Sequence, residues 1–273
     1  MFFFGTLLAA IGLKNIILAL AAILPAVFLM IKVYRADRLE KEPIGFLFRL
    51  AVAGIISTAI AVFAEYIGGF IIEAIGFESK TVSNFVLYFA VVGLSEEWAK
   101  FYLLKKRTFF SPNFNCQFDG VVYSVFVSLG FALWENIHYV FSYGLSTALV
   151  RAVTAVPGHA CFGVFMGIFY GAAKKYWNTG EEKRAKSNLK KAVIIPALIH
   201  GCYDFIATLE GEMSTLIFLA FVILMLAISF RLVKKASELD SRIVQETSIV
   251  CDRYGRPVYA DPMFIYNTQK NDK

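Results

Sequence analysis

Seven long windows of this chain are filled with apolar residues, at 15–33, 46–67, 82–104, 118–141, 147–173, 192–209 and 214–232, and the connections between them are polar. Each window is close to the ~20 residues that an α-helix needs to cross the hydrocarbon core of a bilayer. The pattern predicts an all-α fold: a polytopic membrane protein with seven transmembrane helices. Lysine and arginine sort onto alternate connections. Those after windows one, three and five, together with the tail, hold 23 of the 27 basic residues, whereas the opposite set holds only Lys14 and Lys80. Because basic residues concentrate on the cytoplasmic side, this places the N-terminus outside and the C-terminus in the cytoplasm. Window one has no basic region before it and no small-residue cleavage site after it, so it reads as a retained anchor. Residues 1–236 form one membrane-embedded helical domain. Residues 237–273 form a polar cytoplasmic tail, with a turn expected at Gly255 and Pro257.

Composition agrees with the pattern. The 273 residues are 58% hydrophobic and only 18% charged, and the mean hydropathy of +0.62 is too high for a soluble domain of this length. The formal charge of +6 does not point to nucleic acid, because the basic residues lie between apolar windows rather than interleaved with aromatics. No internal repeat of the kind many transporters carry is visible.

Against this background the intramembrane polar residues stand out, since an ionised side chain near a bilayer centre costs about 2.5–3.5 kcal/mol even on lenient scales. Glu96, Glu97 and Lys100 lie in GLSEEWAKF, Glu135 and Asn136 in GFALWENIHY, Arg151 and His159 in RAVTAVPGHACFG, and His200 and Asp204 in HGCYDF. Glu96 and Lys100 are four apart, so they share a helix face and can neutralise each other, which leaves Glu97 unexplained. Counting ~1.5 Å per residue from the cytoplasmic ends brings Glu96, His159 and His200 toward mid-membrane. Glu135, Asp204 and Arg151 fall in a layer nearer the outer face. Pro157 and Gly158 predict a kink or opening beside His159, and Pro196 disturbs the turn below His200. Gly163, Gly167 and Gly171 continue a small-residue stripe from His159, which turns that histidine into the bundle. His138, Glu65 and Glu73 fall near the outer interface and read as structural or interfacial. Asp204, four residues after His200, is placed to orient its imidazole.

Cys161 and Cys202 each follow a histidine by two residues, but positions two apart face nearly opposite ways on a helix, so both read as small buried apolar residues rather than metal ligands. No CxxC, HExxH or GxSxG pattern occurs. Carboxylates and imidazoles in a water-poor cavity suit hydrolysis. A desolvated glutamate with a like-charged neighbour can take a proton from water, while histidines orient that water or stabilise the oxyanion. Glu96, His159 and His200 could instead hold Zn2+, with the other glutamate as base. From another class, a transporter could use the same groups as a proton or cation relay, and a scaffold could use the glycine face to bind other spans.

EEWAK, FALWEN, the histidine of VPGH and HGCYD, in this order, together with DRLEKEP at Asp37 to Pro43, resemble the PrsW family of intramembrane proteases, within the larger group that contains the type II CAAX prenyl endopeptidases. Where those endopeptidases have FxxxH this chain has Phe131 and Glu135, and where they have HxxxN it has His200 and Asp204; His159 matches the PrsW pattern instead. The resemblance implies an intramembrane endopeptidase with Glu96, Glu97, His159 and His200 as catalytic residues, and with Lys100, Glu135, Asn136, Asp204 and Arg151 supporting them. It implies a bacterial plasma membrane and membrane lipid as surroundings. The implied substrate is a single-span membrane protein, in the best-known case an anti-sigma factor cut as the first step of a cascade.

Overall fold

The computed structural model of this chain describes residues 2–243, 250–251 and 257–258. The long helices are α1 (Phe2–Ala36), α2 (Ile44–Ile75), α5 (Asp119–Tyr143), α7 (Ala155–Asn178), α8 (Glu182–Ala207) and α9 (Glu212–Glu238); the shorter α3 (Lys80–Val86), α4 (Leu94–Thr108) and α6 (Leu145–Val153) lie between them. Val250–Cys251 and Pro257–Val258 pair antiparallel. These two short segments flank the turn expected in the tail, whose Gly255 lies outside the described residues.

Among the described residues, five segments are long and apolar enough to cross a membrane: Gly12–Ala36, Ile44–Ile75, Asp119–Tyr143, Leu145–Asn178 and Met213–Glu238. This is fewer than the seven windows of the sequence. The other two windows are helical too, and fall short for a physical reason. Residues 80–108 are broken into α3, a π-helical stretch over Leu87–Gly93 and α4, and α4 carries Glu96, Glu97, Lys100, Lys105, Lys106 and Arg107. The first half of α8 is strongly basic. The charge that lowers their apolarity is in part the charge of the site.

The predicted opening at Pro157 and Gly158 lies elsewhere. The helix breaks at Thr154, between α6 and α7, where φ is −119° and ψ −74°. Pro157 sits in the first turn of α7, where a missing N–H is tolerated. Pro196 likewise stays within a continuous α8.

Close helix contacts set the register of the site. The glycine stripe of α7 lies against α5, and a Cβ on Gly163 would stand 2.9 Å from Val125 Cα. Ser124 Oγ donates to Gly163 O across that contact at 2.7 Å. On the other side of the bundle, a Cβ on Gly93 would come within 2.7 Å of Ala197 O. This packs the end of the π-helical stretch against α8. The wider π turn inserts an extra residue and rotates the start of α4 by about 100°, and Glu96 and Glu97 at that start are buried.

The α1–α2 connection, DRLEKEP, is a built corner rather than a loose loop. Asp37 and Glu42 are buried, and neither Asp37 carboxylate oxygen has a hydrogen-bond partner. Burial, more than the neighbouring Asp240 and Glu40, pushes the Asp37 carboxyl up to about 6, against the opposing pull of Lys41. Burial likewise pushes Glu42 up to about 7, although its hydrogen bond to Tyr123 pulls the other way. The start of the tail closes the same end of the molecule. Asp240 Oδ1 accepts from Phe118 N at 2.8 Å, Ile243 N donates to Asn115 O at 2.7 Å, and the Ile243 side chain is buried in the main core cluster.

Candidate active site

One buried ammonium joins the acids to a histidine. Lys100 Nζ lies 3.0 Å from Glu96 Oε2, 2.7 Å from Glu97 Oε1 and 3.1 Å from His159 Nδ1, and its side chain is fully inaccessible. Spacings of three and four residues put both glutamates within reach of one lysine. The expectation that Lys100 neutralises Glu96 alone is therefore corrected: it holds both, and Glu97 more closely. An ammonium offers three donors and accepts none, so His159 Nδ1 is the acceptor and the imidazole proton sits on Nε2. That nitrogen faces Glu135 Oε2 at 2.8 Å.

Glu135 thus belongs to the same site rather than to a separate outer layer, because α5 and α7 pack so closely along their small residues. It also forms an ion pair with Arg151 Nη2 at 3.0 Å. Arg151 Nε donates to Asn136 Oδ1 at 2.9 Å, and Asn136 Nδ2 donates to Ala22 O at 2.8 Å. Asn136 ties α1 to α6 and so places the arginine.

His200 approaches from α8. Its Nδ1 lies 3.0 Å from Glu97 Oε1 and 3.8 Å from Glu96 Oε2, and its Nε2 lies 3.4 Å from Asp204 Oδ2. Phe162 stacks on the imidazole with ring centroids 4.4 Å apart, and the two histidine rings stand 5.4 Å apart. Phe131 lies under Lys100, with Nζ 4.0 Å from the ring centroid. Four elements, α4, α5, α7 and α8, therefore converge on one point. His138 is exposed and meets Tyr139 edge-on, outside this network. Cys161 is buried in a cluster with Phe162 and Met225, and Cys202 is half-buried; both are free thiols.

Glu65, which reads as interfacial in the sequence, is brought into the site by the fold. Glu65 on α2 accepts from Ser95 Oγ at 3.5 Å, next to Glu96, and interacts electrostatically with Lys100, His200 and Glu135. Its signal in the sequence is weak, a single acid near the end of a long apolar helix, whereas Glu73 on the same helix is exposed.

Charge does not balance in this cavity. Glu65, Glu96, Glu97, Glu135 and Asp204 surround two fixed cations, Lys100 and Arg151. A dry interior does not hold such a surplus, so protons on the site or a bound cation must cancel it. That is the setting for proton transfer. The donor chemistry also fits a divalent metal: ligand atoms of Glu96, Glu97 and His159 lie within 4.8 Å of one another, and buried Glu97 Oε2 has no hydrogen-bond partner. The set expected from sequence is Glu96, His159 and His200; His200 Nδ1 lies 3.0 Å from Glu97 Oε1 and 3.8 Å from Glu96 Oε2, beside this group. Lys100 Nζ contacts one carboxylate oxygen of each glutamate and His159 Nδ1, so an ion held by these three residues would sit beside the ammonium.

Fold and site together are those of a membrane-embedded helical bundle enclosing acids, histidines and a lysine. Family comparison places it further. Residues 42–229 match the model of the "PrsW family intramembrane metalloprotease", a span that includes every residue of the network except Ala22. The chain is 35% identical to protease PrsW of Oceanobacillus iheyensis, over 80% of this chain and 95% of that one. It is 31% identical to protease PrsW of Bacillus subtilis, over 81% and 95%, and 32% identical to that of Clostridioides difficile, over 80% and 90%. No solved structure matches. The chain belongs to the PrsW family of intramembrane proteases and is a membrane-bound peptidase.

Proposed function

We propose that this protein is an endopeptidase that cuts a single-span membrane protein within or beside the bilayer, by glutamate-activated water with histidine assistance. The observation that carries this reading is the meeting of both glutamates with His159 at the buried Lys100 ammonium. Glu96 is the general base. It keeps the more accessible carboxylate, 7% exposed against 0% for Glu97, and its partner at 3.8 Å, His200, is close enough to share a water. Glu97, gripped by Lys100 and His200, fixes the geometry of both. His200, backed by Asp204, orients the water, and His159 supplies an N–H toward the developing oxyanion once a substrate displaces Glu135. Lys100 moves no proton in this scheme; it keeps two carboxylates together at short range. If a divalent ion is bound, Glu96, Glu97 and His159 would hold it, and it would supply Lewis-acid polarisation of the carbonyl and a more acidic water.

The two charged helical segments, 80–108 and 182–207, complete seven crossings in this reading, with the N-terminus outside and the C-terminus cytoplasmic, as the 23 to 2 split of basic residues supports. The organisms of the matched relatives fit a bacterial plasma membrane, and an anti-sigma factor, cut as the first step of a cascade, is the substrate that the family resemblance implies. Proteoliposomes holding the purified protein and a tagged single-span substrate test the reading. Cleavage should fall at least ~100-fold in both Glu96→Gln and Glu97→Gln, the lower range for losing a general base. Wild-type cleavage by both variants, or pH-dependent ion flux with no cleavage by the wild type, would overturn it.

A further inference from the structure

On the side of α7 away from the active site, a cavity of about 320 Å³ opens between α1, α7 and α9. This is within the ~300–1,000 Å³ range of small-molecule sites. Its wall is apolar: Pro157, Ala160 and Val164 from α7 and Leu226 from α9, with Phe230 of α9 at its exposed edge. Its mouth is cationic. Lys32, Arg35 and Arg38 at the end of α1 and Lys234 near the end of α9 line it, no acidic residue does, and all four are exposed. Among the described residues none of the four forms a salt bridge, although ion pairs occur at several other lysines and arginines of this chain. Ser237 Oγ bonds to Ala36 O and joins α9 to α1 at the mouth. From there to Ser229, in the cavity wall, is eight residues of α9, or ~12 Å of depth.

A row of cations without acidic partners over an apolar slot, at the level where helices leave the bilayer, matches a ligand with an anionic head and hydrocarbon chains. We infer that this cavity is a site for an anionic phospholipid of the cytoplasmic leaflet, with the phosphate among Lys32, Arg35, Arg38 and Lys234 and an acyl chain along Ala160, Val164, Leu226 and Phe230. A peptide helix would leave the four charges without partners. A free anion would leave the apolar wall unused. The wall residue Ala160 adjoins His159, and Cys161 in the same wall adjoins the Phe162 that stacks on His200, so an occupied cavity buttresses α7 directly behind both histidines. The inference rests on the membrane reading of the helices and not on the protease reading, so loss of one leaves the other standing.

The test uses the full chain with Phe230→Trp, an exposed wall position, reconstituted in phosphatidylcholine bilayers with increasing brominated phosphatidylglycerol or brominated phosphatidylcholine. Quenching of the added tryptophan, taken against the parent protein, should reach its midpoint at an anionic-lipid fraction at least ~10-fold lower than for the neutral lipid. Replacing Lys32, Arg35, Arg38 and Lys234 by Gln should abolish that preference, since each basic residue near an anionic surface is worth about fivefold. Inorganic phosphate at 10-fold excess over lipid should leave the preference intact. Equal quenching by both lipids, or a preference that survives the four substitutions, overturns the site. So does no quenching by either lipid, which would mean that protein fills the cavity. Restoration of neutral-lipid behaviour by phosphate alone would assign the cations to a free anion and also overturn it. Cleavage by the Phe230→Trp protein, measured in parallel, keeps the lipid result separate from the protease reading.

Discussion

Lys100 donates to His159 across 3.1 Å while holding Glu96 and Glu97 at 3.0 and 2.7 Å. The residue that looks like a counter-ion in the sequence is the joint between two helices. Removing one partner of a buried ion pair typically costs about 3–5 kcal/mol, because the other charges are left uncompensated. Lys100→Gln should therefore lower thermal stability markedly and abolish cleavage. Adding Glu96→Gln to it should recover part of the stability without activity, as one surplus charge is removed. Melting curves of the single and double variants check this; a double variant less stable than the single would show that Glu96 is not held by Lys100.

The two glutamates should separate in stability although losing either should end cleavage. Glu97 is fully buried and bonded to Lys100 and His200, whereas Glu96 keeps some access. Glu97→Gln should be the less stable of the pair by about 1–3 kcal/mol, the usual cost of a lost buried hydrogen bond to a charged group. Chemical denaturation in detergent micelles measures the difference, and equal midpoints would show that Glu97 is no more embedded than Glu96.

His159→Ala and His200→Ala should each abolish cleavage, and His138→Ala should leave it unchanged, because only the first two belong to the network. Elemental analysis of the purified proteins adds a second readout. If the wild type carries a stoichiometric divalent ion, His159→Ala should lose it, since His159 is one of three donors within 4.8 Å, and His200→Ala should keep more of it. Chelator treatment of the wild type then abolishes activity only in the metal-bound case. Substantial cleavage by the His159→Ala, His200→Ala double variant would leave the histidines as packing residues.

The α1–α2 corner makes stability depend on pH. Asp37 and Glu42 are pushed up by burial from 3.8 and 4.5 to about 6 and about 7, so the folded state keeps protons that the unfolded chain has already released. Their contribution is complete below about pH 4 and is lost as pH rises through about 6 to 7. The groups facing them, Lys41, Glu40, Asp240, Asp119 and Tyr123, are unchanged in the Asp37→Asn, Glu42→Gln variant. That variant should melt a few °C above wild type at pH 8, on a scale of ~2–4 °C per kcal/mol, with the gap closing at pH 4.5. A gap of the same size at both values would show that the corner does not titrate in this range.

Membrane class, helical windows and the residue types of the site are legible in the sequence. Those come from local rules, since a run of some 20 apolar residues has few alternatives to a helix in lipid, and an intramembrane acid is too costly to be incidental. Glu96, Glu97, Lys100, Glu135, His159 and His200 were all visible as polar interruptions of apolar windows. Which of these residues meet is set by how the helices pack. The π-helical turn at Leu87–Gly93, which directly precedes the buried Glu96 and Glu97, has no signature in apolar periodicity. The break at Thr154 rather than Pro157 depends on where α6 packs. Glu135 joined His159, and Glu65 came in from α2, because glycines and serines let neighbouring helices approach closely enough to erase the layers that a count of 1.5 Å per residue had separated. Depth along a helix is a property of one segment. Contact across the bundle depends on tilt and rotation, which packing alone fixes.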